Sequence, residues 1–233
     1  MTYQTIQARR VSPALGAEID GIDIARGGDD RQFAELRQAF VDYGVSFLRD
    51  QQITPEQHIA FAERWGAINV NRFFKADPDY PVIAEVRKEA DQKRNIGARW
   101  HTDHSYDQVP AMGSILYARE VPSIGGDTLF ASMYAAYEGL SDGLKQMLLA
   151  LRAEHSSRQS FGAEAYIGVD NDDVADRLGN IEAATQDSVH PVVIRHPLSG
   201  KPALYVNGEF TVRFEGWTQA ESQPLLDYLY AHA

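Results

Sequence analysis

The 233-residue chain has no cysteine. That excludes a disulfide framework, a thiolate metal site and a cysteine nucleophile, and it leaves thiols silent on the redox compartment. Positive charge is also short: 22 Lys and Arg stand against 33 Asp and Glu, a net charge of −11. Phosphate backbones are bound through clustered Lys and Arg, so no nucleic-acid partner is expected. No apolar run approaches the roughly 18 residues of a membrane span, so no membrane partner is expected. Met1 to Arg10 carries no apolar signal core, which makes the cytoplasm the expected location. Internal repeats and Gly/Ser or Pro linkers are missing too, and we read one domain over 1–233. What remains is an ordinary globular composition, 44% hydrophobic and 24% charged.

Periodicity supplies the expected elements. The segment 6–24 alternates loosely around Gly16 and Gly21, which predicts short strands joined by turns. In 29–43, Phe33, Leu36, Phe40 and Tyr43 recur at three- and four-residue steps, which predicts a helix stopped by Gly44. A buried strand over 45–48 should follow. Thr54, Pro55 and Gln57 form a capping-box start for a second helix ending at Gly66. Short helices are predicted over 132–140 and 141–151. A last helix, over 218–231, contains Pro224, which should bend it or delay its start. Strands are predicted at 114–118, 192–195 and 203–206, the last two paired around Pro197-Leu198-Ser199-Gly200. The stretch 162–188, with Asp170, Asp172 and Asp173, reads as a solvated acidic loop or lid; it lacks the ordered ligand pattern of a calcium loop. Strands in the middle with helices at the flanks predict an α+β fold, mainly β.

The strongest chemical signal is Trp100-His101-Thr102-Asp103-His104. On a strand, residues two apart point to one face, so His101 and Asp103 would stand side by side. An imidazole and a carboxylate are two of the three ligands of a 2-His-1-carboxylate iron site. The triplet alone reads more readily as a polar surface turn, and short motifs of this kind are hypotheses. A zinc hydrolase is the rival metal chemistry, but no H-E-x-x-H is present.

The surrounding sequence carries a resemblance. Trp100 to Asp103 is followed by Gly125-Gly126-Asp127-Thr128. Before it come Leu15-Gly16-Ala17-Glu18-Ile19 and Phe47-Leu48-Arg49-Asp50-Gln51. After it come His190-Pro191-Val192-Val193, Leu204-Tyr205-Val206-Asn207 and Glu221-Ser222 with Leu225-Leu226. In this order they resemble the taurine dioxygenase (TauD/TfdA) family of Fe(II)/2-oxoglutarate-dependent dioxygenases. The resemblance implies a double-stranded β-helix (jelly-roll) core with flanking helices. It implies His101 and Asp103 as catalytic iron ligands and Thr128 as a contact to the 2-oxoglutarate carboxylate; read without the family, Thr128 is an ordinary strand-edge residue. The implied cofactors are Fe(II), 2-oxoglutarate and O2, and the products are succinate, CO2 and a hydroxylated small molecule.

The family's third ligand, a histidine, and its 2-oxoglutarate arginine have no counterpart before Ala233. The expectation is therefore a domain whose C-terminal part is absent from this sequence; the alternative is a non-catalytic jelly-roll binding protein or truncated inactive relative. His58, His155, His190, His196 and His232 are expected to be structural or exposed. By resemblance the substrate site comprises Asn71, Phe74, Gly97, Ser160, Phe161 and Phe210. Taurine-oxidising members carry polar side chains at the first three positions, so Asn71, Phe74 and Gly97 imply a larger or more apolar substrate. Phe74 and Phe210 read equally as core. Arg99 and Lys75 are solvated cations or contacts for an anionic substrate. The substrate classes implied are sulfonates, alkyl sulfates and aryloxyalkanoates; a homo-oligomer is left open.

Overall fold

The structure, a computed structural model, describes residues 3–74, 76–92, 95, 97–162, 165, 178 and 181–233. Lys75 and most of the acidic loop, including Asp170, Asp172 and Asp173, lie outside the described residues. The chain forms two compact units. The first comprises Met1–Ile68, Ile115–Ala135 and Arg195–Lys201; the second comprises Asn69–Ser114, Ala136–Ile194 and Pro202–Ala233.

In the first unit, β1 (Gln7–Arg10) runs antiparallel to β2 (Ala17–Asp20), which runs parallel to β3 (Ser46–Phe47). Gly16 enters β2 with φ +88°, and a Cβ there would meet Val11 Cγ2 at 2.8 Å, so the turn requires glycine. Between β2 and β3 lies α1 (Asp30–Tyr43), opened by a reciprocal cap between Asp29 and Gln32 and closed at Gly44. Its buried stripe is Phe33, Leu36 and Ala39; Phe40 and Tyr43 are only half-buried, because Phe40 turns its ring to Trp65 at 5.4 Å. Glu35 on α1 accepts the N–H groups of Gln4 at 2.9 Å, Thr5 at 2.8 Å and Ile6 at 3.3 Å, which ties the start of the chain to the helix. These bonds pull its carboxyl down to about 2. Next, α2 (Pro55–Glu63) has the expected Thr54–Gln57 capping box but ends before Gly66, at Arg64. Phe33 meets Phe61 and Trp65 edge-on at 6.3 and 5.2 Å, closing a core with Ile19, Ile24 and Leu36.

The strand expected at 114–118 is not formed. Its alternation is real: Ile115 and Tyr117 turn inward while Leu116 is 73% exposed. Among the described residues no strand pairs with it. Side chains hold it instead, His58 Nε2–H donating to the Ile115 carbonyl at 3.2 Å and the Tyr117 hydroxyl to the Gln51 carbonyl at 3.3 Å. A ladder, not alternation, makes a strand.

Helix α3 (Met133–Glu138) leads to the second unit, where α4 (Asp142–Leu148) is capped by Ser141. The central strand of this unit is β4 (Arg152–Ser156), followed by one turn of helix, α5 (Arg158–Phe161). Two antiparallel neighbours flank β4: β5 (Asp187–Pro191) on one side and β8 (Thr211–Phe214) on the other, with a register shift at Glu154/His155. Strands β6 (Val193–Arg195) and β7 (Pro202–Leu204) pair around the expected turn. The last helix, α6 (Gln219–His232), starts at once after Thr218 despite Pro224. The bond that proline forgoes is to the carbonyl of Ala220, an exposed residue in the first turn. Among the described residues no helix is long and apolar enough to cross a membrane.

Candidate metal centre

His101 and Thr102 lie in irregular chain and 103–106 form a turn, so the strand expected beneath the H-x-D triplet is absent. The two side chains meet all the same, beside a tight turn. His104 takes a left-handed backbone, φ +58°, and its carbonyl accepts the N–H of Asp107 at 2.9 Å. The chain turns immediately after Asp103, and His101 Nε2 lies 3.1 Å from Asp103 Oδ1.

The tautomer follows from the other ring nitrogen. His101 Nδ1 is 2.7 Å from the Arg99 carbonyl, which can only accept, so Nδ1 carries a hydrogen and donates it. Nε2 is then the atom offered to a proton or a metal. The bond to Asp103 raises the His101 pKa above its ordinary value, and His101 lowers that of Asp103; burial opposes both shifts. The contact thus favours a proton on His101 and a negative charge on Asp103, and a cation bound by both would compete with that proton. The Ser114 hydroxyl reaches Asp103 Oδ2 at 3.4 Å. The site is open on one side: the Asp103 side chain is 62% exposed and that of His101 26%.

The donor pair fits a ferrous ion. Two ligands at about 2.1 Å on neighbouring corners of an octahedron lie about 3 Å apart. The observed 3.1 Å meets that spacing, and imidazole with carboxylate is the appropriate donor chemistry. Among the described residues no group of three His, Cys, Asp or Glu could hold a metal. The pair would fill two of the three protein positions of a facial triad.

Of the residues named for the substrate site, Gly97 and Phe210 lie against His101. Gly97, φ +75°, is so close that a Cβ would sit 3.5 Å from His101 Cε1. Phe210, 3% exposed, turns its ring edge-on to His101 at 5.9 Å. Phe161 stacks on Phe73 at 4.2 Å and lies 6.0 Å from Phe210; with Tyr106 these rings make a closed aromatic cluster. The Ser160 hydroxyl donates to the Glu209 carbonyl at 3.0 Å. Asn71 is a turn former, its Oδ1 accepting the N–H groups of Phe73 and Phe74, and Phe74 bridges to Leu178. Arg99 approaches Glu209 at 3.9 Å with its side chain 79% exposed. Thr128 belongs to the first unit and is exposed.

Beneath the turn lies a buried polar network that the sequence did not announce. Arg72 Nη2 reaches the Asp107 carboxylate at 3.2 and 3.3 Å, and His104 Nδ1 reaches it at 2.9 Å. The Ser188 hydroxyl donates to the Ser105 carbonyl at 2.9 Å, and His190 Nε2–H to the Asp107 carbonyl at 2.9 Å. His155, wholly buried, lies 3.2 Å from Ser105 Oγ and 3.3 Å from Thr211 Oγ1. The His104–Asp107 spacing was visible in the sequence; the partners on distant strands were not.

Comparison with known proteins places these features in context. The profile of the taurine catabolism dioxygenase TauD, TfdA family matches residues 7–233. An alkylsulfatase of Acinetobacter baylyi is 32% identical over 228 residues, covering 97% of this chain and 70% of that one. A (S)-phenoxypropionate/alpha-ketoglutarate-dioxygenase of Sphingobium herbicidovorans is 32% identical over 222 residues, covering 92% and 75%. The crystal structure of a taurine dioxygenase from Burkholderia xenovorans superimposes with a TM-score of 0.78 at 29% identity, over 99% of this chain and 74% of that one. Against these and other curated relatives the chain spans from 55% to 78% of their length.

Proposed function

The chain belongs to the TauD, TfdA dioxygenase family, and from that premise we propose that it is an Fe(II)/2-oxoglutarate-dependent dioxygenase acting on a small anionic organic molecule. The observation that carries the reading is the convergence of His101 Nε2 and Asp103 Oδ1 at 3.1 Å, with His101 Nδ1 tied to a backbone carbonyl. When bound, iron and 2-oxoglutarate supply an oxidant made from O2, with release of succinate and CO2. His101 and Asp103 would hold the metal. Arg99, through its carbonyl, fixes the plane and tautomer of the His101 ring. Phe210 and the aromatic cluster keep water from the buried side of that ring, while the exposed face of Asp103 stays open to ligands.

On this reading the short sheets belong to a double-stranded β-helix, and Thr128 binds the 2-oxoglutarate carboxylate. The substrate belongs to the sulfonate, alkyl sulfate or aryloxyalkanoate class, and the half-neutralised, exposed guanidinium of Arg99 supports an anionic group. The related alkylsulfatase and phenoxypropionate dioxygenase support the same classes. The test is succinate release with Fe(II), 2-oxoglutarate and O2 across panels of these three classes. Substrate-dependent succinate is the expected result. No succinate, and no visible absorption band on anaerobic addition of Fe(II) and 2-oxoglutarate, would replace the enzyme with a binding protein.

A further inference from the structure

Only two described residues other than glycine have a positive φ, Asp50 at 56° and His104 at 58°. A left-handed backbone is disfavoured for a residue with a Cβ and persists where its surroundings impose it. His104 follows Asp103 directly. Its ring is tied by Nδ1 to Asp107 Oδ2 at 2.9 Å, and both side chains are only 11% exposed. Asp107 is gripped in turn by Arg72. One residue further, Ser105 is wholly buried and its carbonyl is held by Ser188; the Asp107 carbonyl is held by His190. The chain is therefore anchored on both sides of Asp103: before it by the His101–Arg99 bond, after it by this lock. The left-handed residue follows Asp103 directly and is itself part of the lock.

We propose that His104 is a positioning residue: its left-handed backbone, locked through Asp107 to Arg72, aims the Asp103 carboxylate at His101 and so preforms the metal pair. The inference rests on the reading of His101 and Asp103 as iron ligands. Its physical content is that the H-x-D triplet does not converge by strand alternation here. The convergence is made by one strained residue and the side chain that holds it.

Three substitutions separate backbone from lock. His104→Asn tolerates a left-handed backbone and offers Asp107 an amide N–H. His104→Gly keeps the backbone without strain and loses the lock. His104→Val opposes the backbone and loses the lock. Mn(II) binding followed by electron paramagnetic resonance should be within about twofold of wild type in His104→Asn and weaker by about tenfold or more in the other two. Hydrogen exchange on the metal-free chain should quicken over residues 102–107 in His104→Gly and His104→Val while the rest of the second unit is unchanged. A purely structural histidine would instead loosen the whole unit and lower the melting temperature, with no rescue by asparagine. Equal Mn(II) affinity in wild type, His104→Gly and His104→Val overturns the proposal. If wild type takes up no Mn(II), the iron reading fails, and the exchange experiment then decides the proposal: equal exchange over 102–107 in all four proteins overturns it. Should His104→Val fail to fold, His104→Gly carries both measurements.

Discussion

Acidification should weaken the protein through His155. This imidazole has no exposed surface, sits beside two hydroxyls through Nδ1, and has no hydrogen-bond partner for Nε2 among the described residues. Burial, and secondarily the charge of His190, push its pKa down to about 3 from 6.5. The folded state therefore refuses a proton that the unfolded chain accepts. With the folded value below the unfolded one, stability is full above the unfolded value and is lost as pH falls from about 6.5 towards 3. At pH 5 the unfolded chain gains about 1.5 pH units' worth of proton binding, which costs about 2 kcal/mol at 1.36 kcal/mol per unit. At pH 7.5 the same contribution is below about 0.1 kcal/mol. Urea unfolding of wild type and His155→Gln, followed by tryptophan fluorescence at pH 7.5 and 5.0, isolates the effect. Glutamine keeps a polar group near Ser105 and Thr211 but cannot titrate, and every other ionisable group remains in both proteins. Wild type should lose about 2 kcal/mol more than the variant between the two pH values. Losses equal to within about 0.5 kcal/mol, the usual error of additivity, would refute the argument and mean that His155 is protonated in the fold.

His101→Ala and Asp103→Ala should each abolish succinate release while leaving the far-ultraviolet circular dichroism unchanged, because both side chains lie at the rim of the second unit and not in its core; turnover retained in either variant counts against the iron reading. Leu36→Ala should cost about 2–5 kcal/mol in urea unfolding, since Leu36 is 1% exposed in the core of the first unit; a loss under about 1 kcal/mol would mean the site collapses around the smaller side chain. Glu35→Gln should lower the unfolding midpoint by weakening the bonds to the N–H groups of Gln4, Thr5 and Ile6. For wild type the Glu35 contribution should be present above about pH 4.5 and fade as pH falls towards 2, the direction set by its depressed carboxyl; a stability difference between wild type and variant that persists unchanged at pH 2.5 would argue against those bonds.

What was legible in the sequence was local. The Thr54–Gln57 and Thr218–Glu221 capping boxes are written within four residues, and both helices start where they predict. The turn at 197–200 is equally local. Alternation at 114–118 reported burial faithfully but could not report a pairing partner, which is a property of some other segment. Spacing puts Phe40 on the apolar stripe of α1; Ala39 is the buried residue there, and Phe40 turns to Trp65, just past the end of α2. The polar network below the turn was illegible for the same reason. Ser105 meets His155 at a separation of 50 residues and Ser188 at 83.

The metal pair divides along that line. Its chemistry, an imidazole and a carboxylate two residues apart, is contained in three consecutive letters. Its geometry is not. Strand alternation would set the two side chains parallel on one face, whereas here the two groups meet at 3.1 Å in irregular chain, directly before a left-handed residue. That conformation is held from Arg72, 31 positions before Asp103, and from Ser188 and His190, more than 80 positions after it. An H-x-D triplet is therefore weak evidence alone because the residues that make it a site are elsewhere. The same contacts explain why a polar network is buried here at all. An unsatisfied buried group is costly, and a loop that holds an imidazole and a carboxylate in one orientation is better fixed by directional hydrogen bonds than by apolar packing alone.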